Sequence, residues 1–291
     1  MSDIPAAAVK QLRDRTNLPF KDCKKALVEA EGDLEKAVDI LRSKNKGVVD
    51  KRAGRETAKG RIAVFFDEDK KVGSIVEMQC ESDPVATGEH FVEMSDEIAK
   101  HVAYSEAADL DALHTEPLHS DNSKTVKERV EELIGLIREN MKIARFERLK
   151  GPQGTYVHHN GSVGAAIVVE GEPDAALLRD IAMHVTATAP LAGTSDEIDQ
   201  DIIAKEKEIA VEQTRNDPKM AGKPDEIIEK SVMGKLNKWL AQNSLLDQPF
   251  VKDESKKVGQ LLKDAGLKYV KFIRFQVGEL NQPSEEGEGD A

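Results

Sequence analysis

Apolar residues recur at helical spacing in three short runs over the first 45 or so residues. Val9 and Leu12 share a face of the first run, Cys23, Ala26 and Leu27 mark the second, and Leu34, Ala37, Val38 and Leu41 give the third its stripe. Between the last two, Gly32 followed by Asp33 reads as a stop signal and then an N-cap. From Arg61 the period shifts towards two. Residues 62–66 and 72–78 flank Asp67-Glu68-Asp69-Lys70, and residues 156–158 and 163–169 flank Asn160-Gly161, so two hairpins are predicted. Further strands are expected at 143–148 and 270–275. Over 125–140, Val126, Val130, Leu133, Ile134 and Ile137 predict a helix.

Residues 195–242 carry a different pattern. Ile198, Ile202 and Ile209 mark one long helix, and Ile228, Val232, Leu236 and Trp239 mark another, with Asn216-Asp217-Pro218 and Gly222-Lys223-Pro224 at the join. Their polar outer faces suit a protruding antiparallel coiled coil. From Asn281 the chain is rich in Glu, Gly and Asp and is expected to be disordered.

One strand-and-helix unit occurs twice. Val72-Gly73-Ser74-Ile75-Val76-Glu77 leads to Glu97-Ile98-Ala99-Lys100-His101-Val102, and Val163-Gly164-Ala165-Ala166-Ile167-Val168 leads to Asp180-Ile181-Ala182-Met183-His184-Val185. From Val72 to Ile98 is 26 positions and from Val163 to Ile181 is 18, so the first copy holds eight extra residues, assigned to the stretch Cys80 to Glu89. A repeated scaffold is a rigid frame, and a connection enlarged in one copy is a natural place for function; a tolerated surface insertion has the same appearance.

The expected fold class is therefore α+β. A three-helix bundle resembling the ubiquitin-associated type occupies 1–53 and a basic linker 54–60. Two repeated small α+β core subdomains with antiparallel sheets follow, at 61–140 and at 141–194 with 267–279. The helical hairpin takes 195–250, a C-terminal helix 251–266 and an acidic tail 280–291.

Composition narrows the function classes. Charged residues make up 33% and aromatics 4%, a balance that disfavours an aromatic-lined ligand cavity. The formal charge is −12, yet 44–61 holds seven Lys or Arg against Asp50 and Glu56. Such a stretch suits contact with nucleic acid or an acidic protein surface, and a solvated flexible linker has the same composition. Cys23 and Cys80 are the only cysteines, which excludes a disulfide framework or a paired CxxC zinc site. No signal-peptide pattern and no run of about 18 apolar residues is found, so a cytoplasmic protein is expected.

Little points to chemistry. Phosphate-loop, dinucleotide and nucleophile-elbow motifs are absent, and neither a cofactor nor a metal is expected. His158 and His159 should face opposite sides of a strand. Cys80 stands beside Glu81 and Asp83, which disfavour a thiolate, so a buried structural thiol is the better reading. His101 and His184 hold equivalent places in the two repeats, where helix packing or a surface position is the default.

Several motifs in order resemble the bacterial elongation factor Ts family. They are Leu12-Arg13-Asp14-Arg15-Thr16, Asp22-Cys23-Lys24-Lys25-Ala26-Leu27, Gly32-Asp33-Leu34-Glu35-Lys36-Ala37, Lys51-Arg52-Ala53-Gly54-Arg55-Glu56, Cys80-Glu81-Ser82-Asp83, Asp180-Ile181-Ala182-Met183-His184-Val185 and Gln248-Pro249-Phe250-Val251-Lys252-Asp253. Two places depart from the family. Asn17-Leu18-Pro19-Phe20-Lys21 stands where Gly-Ala-Gly-Met-Met is usual, and Ser82-Asp83-Pro84-Val85-Ala86-Thr87 stands for Thr-Asp-Phe-Val-Ala-Lys, so the aromatic wedge at position 84 is missing.

The resemblance implies a guanine-nucleotide exchange factor without covalent chemistry, whose partner is the translational GTPase elongation factor Tu, preferentially nucleotide-free. It assigns Arg13, Thr16, Phe20 and Lys24 to docking, Ser82, Asp83, Pro84 and Val85 to a loop that disturbs the nucleotide site, and His184 to a second contact. Membrane and direct nucleic-acid binding are not expected, and a homodimer is left open. The alternative is a non-catalytic adaptor whose bundle binds protein and whose basic linker contacts RNA.

Overall fold

A computed structural model describes residues 4–281. Its contacts divide the chain into two units. The first runs up to Leu149 and takes in Val157–Gly164 and the segment from Phe275; the second comprises Lys150–Tyr156 and Ala165–Arg274. The expected tail lies outside the described residues from 282 on, while Glu279–Asn281 forms a short 3-10 turn.

The first unit opens with α1 (Ala6–Thr16), α2 (Phe20–Glu29) and α3 (Leu34–Arg52). Val9, Leu12, Cys23, Ala26, Leu27, Ala37 and Leu41 close on one another as the core of a three-helix bundle. Gly32 takes the left-handed conformation and the Asp33 side chain accepts from the N–H groups of Glu35 and Lys36, as the stop-and-cap pattern predicted. Much of the expected flexible basic stretch is structured. Helix α3 continues to Arg52, Val48 and Val49 pack against the sheet core, Thr57 is buried, and the next strand starts at Lys59. The reason lies in apolar residues on the inner side of that helix and in acidic partners far along the chain: Lys44 pairs with Glu29, Arg55 with Glu81 and Lys59 with Asp83.

Strands β1 (Lys59–Asp67) and β2 (Val72–Cys80) form the first predicted hairpin, antiparallel from Asp67 opposite Val72 to Lys59 opposite Cys80. After β2 come α4 (Asp83–Ala86), α5 (Glu89–Tyr104), α6 (Leu110–Thr115), α7 (Val126–Ile137) and β3 (Met141–Lys150). The sheet order is β1-β2-β3, so the strand expected to open the second subdomain belongs to the first sheet. Two contacts explain this: Met141 and Ile143 enter the first core, and Arg145 meets the fully buried carboxylate of Glu77 on β2 at 2.7 Å. Phe91, Met94, Ile98 and Val102 of α5 pack with Val76 and Met78 in that same core.

The second unit contains β4 (Gln153–Val157), β5 (Val163–Glu170), α8 (Ala175–Thr188), α9 (Gln200–Arg215), α10 (Asp225–Asn243), β6 (Pro249–Phe250), β7 (Asp253–Lys257), α11 (Val258–Asp264) and β8 (Lys268–Gln276), the outer residues of three strands falling in the first unit. Strands β4, β5 and β8 form its sheet in that order. Ile167, Val169, Leu178, Ile181 and Val185 build its core with Leu245, Val258 and Leu262. The C-terminal helix expected over 251–266 is shorter, because β6 and β7 pair as an antiparallel hairpin and leave the helix only Val258–Asp264.

Helices α9 and α10 form the predicted hairpin, but its seam differs from the expected one. Ala210, Thr214, Val232 and Leu236 are buried, whereas Ile202 and Ile209 are exposed and Ile198 precedes α9. Small residues let the two backbones approach, which leaves the isoleucines on an outer face.

Candidate protein-docking site

The two copies of the strand-and-helix unit differ most at the connection. Eight residues, 81–88, join β2 to α5, and four, 171–174, join β5 to α8; the remaining extra length adds one residue to the strand and three to the front of the helix. The longer connection is folded. Cys80 ends β2 buried, its Sγ donates to the Ser82 carbonyl at 3.3 Å, and burial, with Glu139, Asp83 and Glu81 nearby, pushes the thiol up to about 12. It is therefore a packed thiol and not a nucleophile at neutral pH.

Ser82 donates its hydroxyl to the Glu139 carboxylate at 2.8 Å, and Asp83 then opens the single turn α4. Pro84 occupies the second position of that turn, where an N–H would lack an intrahelical partner and the fixed φ of proline is already suitable. Val85 packs on the first core and Ala86 is buried, while Thr87 closes the turn by donating to the Asp83 carbonyl at 3.1 Å. Asp83 and Pro84 are left exposed at the top. The Asp83 carboxylate is 73% exposed and pairs with Lys59 at 3.1 Å, a surface ion pair that a partner can displace for about 1 kcal/mol or less.

The second predicted group sits on the bundle. Arg13 and Lys24 are exposed, and Thr16 is half-buried with its hydroxyl donating to the Leu12 carbonyl at 2.8 Å. Phe20 begins α2 with 48% of its surface in solvent, and Lys24 and Val28 follow at intervals of four, so the three share one face. Val28, 46% exposed, was not anticipated; its signal was an apolar residue off the stripe of Cys23, Ala26 and Leu27. An exposed Phe and Val interleaved with lysine is an apolar patch with a basic edge.

His184 is not a surface contact. It is completely buried on the inner side of α8, where Nδ1 accepts the Val251 N–H at 3.1 Å and Nε2 faces Gln248 Oε1 at 2.8 Å. An N–H donor at Nδ1 puts the imidazole proton on Nε2, so the ring is neutral, and burial pushes its pKa below the usual value. His158 and His159 also depart from expectation: β4 ends at Val157, strand alternation stops there, and the two rings lie side by side with centroids 4.2 Å apart. Among the described residues no group of three or more His, Cys, Asp or Glu is placed to hold a metal ion, and no helix is long and apolar enough to cross a membrane.

An exposed turn after β2 and an apolar–basic face of α2 are the two candidate contact features of the first unit. The family model described as Elongation factor TS matches residues 81–279. Elongation factor Ts of Hydrogenovibrio crunogenus is 41% identical over 278 residues, covering 95% of this chain and 92% of that protein. The same factor from Clostridium kluyveri is 41% identical over 296 residues, 97% and 95% of the two chains, and that from Alkalilimnicola ehrlichii is 41% identical over 285, again 97% and 95%. The chain belongs to the elongation factor Ts family.

Proposed function

We infer that this chain is the guanine-nucleotide exchange factor of translation elongation, binding elongation factor Tu and promoting release of GDP. What carries the reading is membership of the elongation factor Ts family over nearly the whole length. The process requires no covalent step by the factor. It requires that the factor bind nucleotide-free GTPase more tightly than the GDP form, because a ligand with equal affinity for both shifts nothing. By linkage, GDP and the factor then weaken each other by the same ratio.

In this proposal the bundle, of the ubiquitin-associated type, docks on the GTPase through Arg13, Thr16, Phe20 and Lys24. The turn bearing Ser82, Asp83, Pro84 and Val85 enters beside the magnesium and phosphate sites. Its support is a turn anchored from below by Val85 and Ala86 with Asp83 and Pro84 free to touch a partner. The second sheet unit grips another part of the same partner, the α9–α10 pair acts as a coiled coil, and the protein works in the cytoplasm. His184 serves the partner contact indirectly, by holding the segment around Val251.

Stopped-flow release of fluorescent GDP from elongation factor Tu tests this. The expected result is an off-rate that rises with factor concentration to a plateau, and a stable nucleotide-free complex that excess GDP dissociates. Superimposable traces with and without the factor would leave an adaptor as the better reading. Asp83→Ala is expected to lower the plateau rate about tenfold, equivalent to about 1.4 kcal/mol of barrier, with binding to nucleotide-free partner affected less.

A further inference from the structure

Three consecutive residues after α7 touch both elements that carry the surface assigned above, α2 at Asp22 and the connection after β2 at Glu81 and Ser82. Arg138 takes the left-handed conformation, φ 71°, which is unusual for a residue with a Cβ and persists only where the surroundings hold it there. Here they do. Its guanidinium meets the Asp22 carboxylate of α2 at 2.5 Å, and its carbonyl accepts from Nε of Arg52 in α3. Glu139 receives the Ser82 hydroxyl, with oxygens at 2.8 and 3.1 Å. The Asn140 N–H donates to Glu81 Oε1 at 2.5 Å, and its side-chain amide donates to the Arg55 carbonyl at 2.8 Å. Arg55 closes the set by pairing with Glu81 at 3.1 Å, and the Asn140 and Arg55 contacts hold the Glu81 carboxyl below its ordinary pKa.

Elsewhere along the interface α3 and α7 approach so closely that any side chain at Gly135 would strike the Asn45 amide, whose Nδ2 donates to the Glu131 carbonyl at 2.9 Å. The bundle is thus seated on α7 at one end and fastened at residue 138 at the other.

We propose that Arg138, Glu139 and Asn140 form a positioning element for nucleotide exchange, fixing the docking face of α2 at a set distance and angle from the Asp83–Pro84 turn. None of the three is a docking residue, and the proposal rests on the assignment of α2 and the turn made above. Its physical content is preorganisation. Docking through α2 then presents the turn without a further loss of conformational freedom, so binding energy gained at one place is available to disturb the nucleotide site at the other. Loosening the element leaves both surfaces intact but uncouples them.

The test separates plateau rate from half-saturating concentration in GDP release by the full chain. Glu139→Ala is expected to lower the plateau about fivefold, about 1 kcal/mol of barrier, while the half-saturating concentration stays within about twofold. Glu139→Gln, whose amide oxygen still accepts from Ser82, is expected to restore the rate. Arg138→Asp and Asp22→Arg should each slow exchange and their combination should regain what either single change loses. Thermal melting accompanies every variant. A Glu139→Ala plateau equal to that of the parent overturns the proposal. So does failure of either rescue, since a loss that tracks melting temperature alone is a folding effect. Asp83→Ala separates the two levels: if it is slow while Glu139→Ala is not, only the positioning element fails, and if Asp83→Ala matches the parent, the turn reading fails and takes the positioning element with it.

Discussion

The unit spanning β2 and α5 and the unit spanning β5 and α8 solve one packing problem alike and differ at their connections. Each carries a buried histidine on the inner side of its helix, and each ring accepts a backbone N–H at Nδ1, from His119 onto His101 at 3.0 Å and from Val251 onto His184 at 3.1 Å. Nε2 of His101 faces Glu116 at 3.0 Å, whereas Nε2 of His184 faces the neutral Gln248. Burial pushes both pKa values down, although Glu116 opposes the shift for His101. The shared histidine is thus a device for pinning a later loop to the helix. The largest difference lies in the strand-to-helix connection, which in the first copy carries a folded turn with an acidic and a prolyl tip.

That contrast can be broken directly. Replacing residues 81–88 with the four of the short connection, Gly171-Glu172-Pro173-Asp174, is expected to lower exchange about a hundredfold, about 2.7 kcal/mol, measured per folded molecule because the change also removes the packing of Val85 and Ala86. Retained activity would mean that the longer connection is a passive insertion. His184→Ala attacks the shared part. It strands the Val251 N–H, while Gln248 keeps the Thr188 hydroxyl and the Gln242 carbonyl, so denaturant unfolding should show a loss of about 1–2 kcal/mol, with a higher half-saturating concentration but plateau exchange per folded molecule at the parent level. A specific fall in plateau rate would restore His184 to the functional surface.

A weaker effect sharpens the histidine comparison. Because the folded state keeps both rings neutral, their pKa values lie below 6.5 and the unfolded chain takes up protons first as pH falls. Stability contributed by the neutral rings is full above pH about 6.5 and is lost on going down towards the folded pKa, with a slope of at most about 1.4 kcal/mol per pH unit per histidine. His184→Gln should flatten the dependence of melting temperature between pH 7 and 5 more than His101→Gln, since Glu116 helps His101 accept a proton. Equal slopes would show that the acceptor at Nε2 does not matter. The smallest effect is expected at the tip: Pro84→Phe should keep the plateau rate within about twofold of the parent or raise it, while Pro84→Gly should slow release by loosening the turn.

Much of the fold could be read from local pattern. The Thr125 cap, whose side chain and that of Glu128 satisfy each other's N–H groups, and the stripe through Val126, Val130, Leu133 and Ile134 are properties of one short stretch. Errors arose where distant groups decide. The connection expected over 54–60 holds no helix or strand before Lys59, but its anchoring was not legible, because Glu81, Asp83 and the Arg138 carbonyl cannot be identified in a linear chain as the partners of Arg55, Lys59 and Arg52. In α9 the bulky isoleucines Ile202 and Ile209 lie on the outer face, while the buried seam runs through Ala210 and Thr214, which carry little periodic signal. At the candidate site the exposed tip at Asp83 and Pro84 was legible as an insertion, and the contacts of Arg138 and Glu139 that fasten it were not.

The buried carboxylate of Glu77 sets a schedule for the birth of the protein. It is satisfied by Gln79 nearby, by Arg145 some way downstream, and by the N–H of Gly278, which lies 201 residues further along the chain. Arg145 in turn stacks on Phe275 and reaches the Gln276 carbonyl and Glu279. On a ribosome, then, the first sheet is synthesised early but keeps a buried charge short of a donor until nearly all of the second unit has emerged. Pairing across so long a stretch is slow to find, so the first unit can complete its buried contacts only late in synthesis.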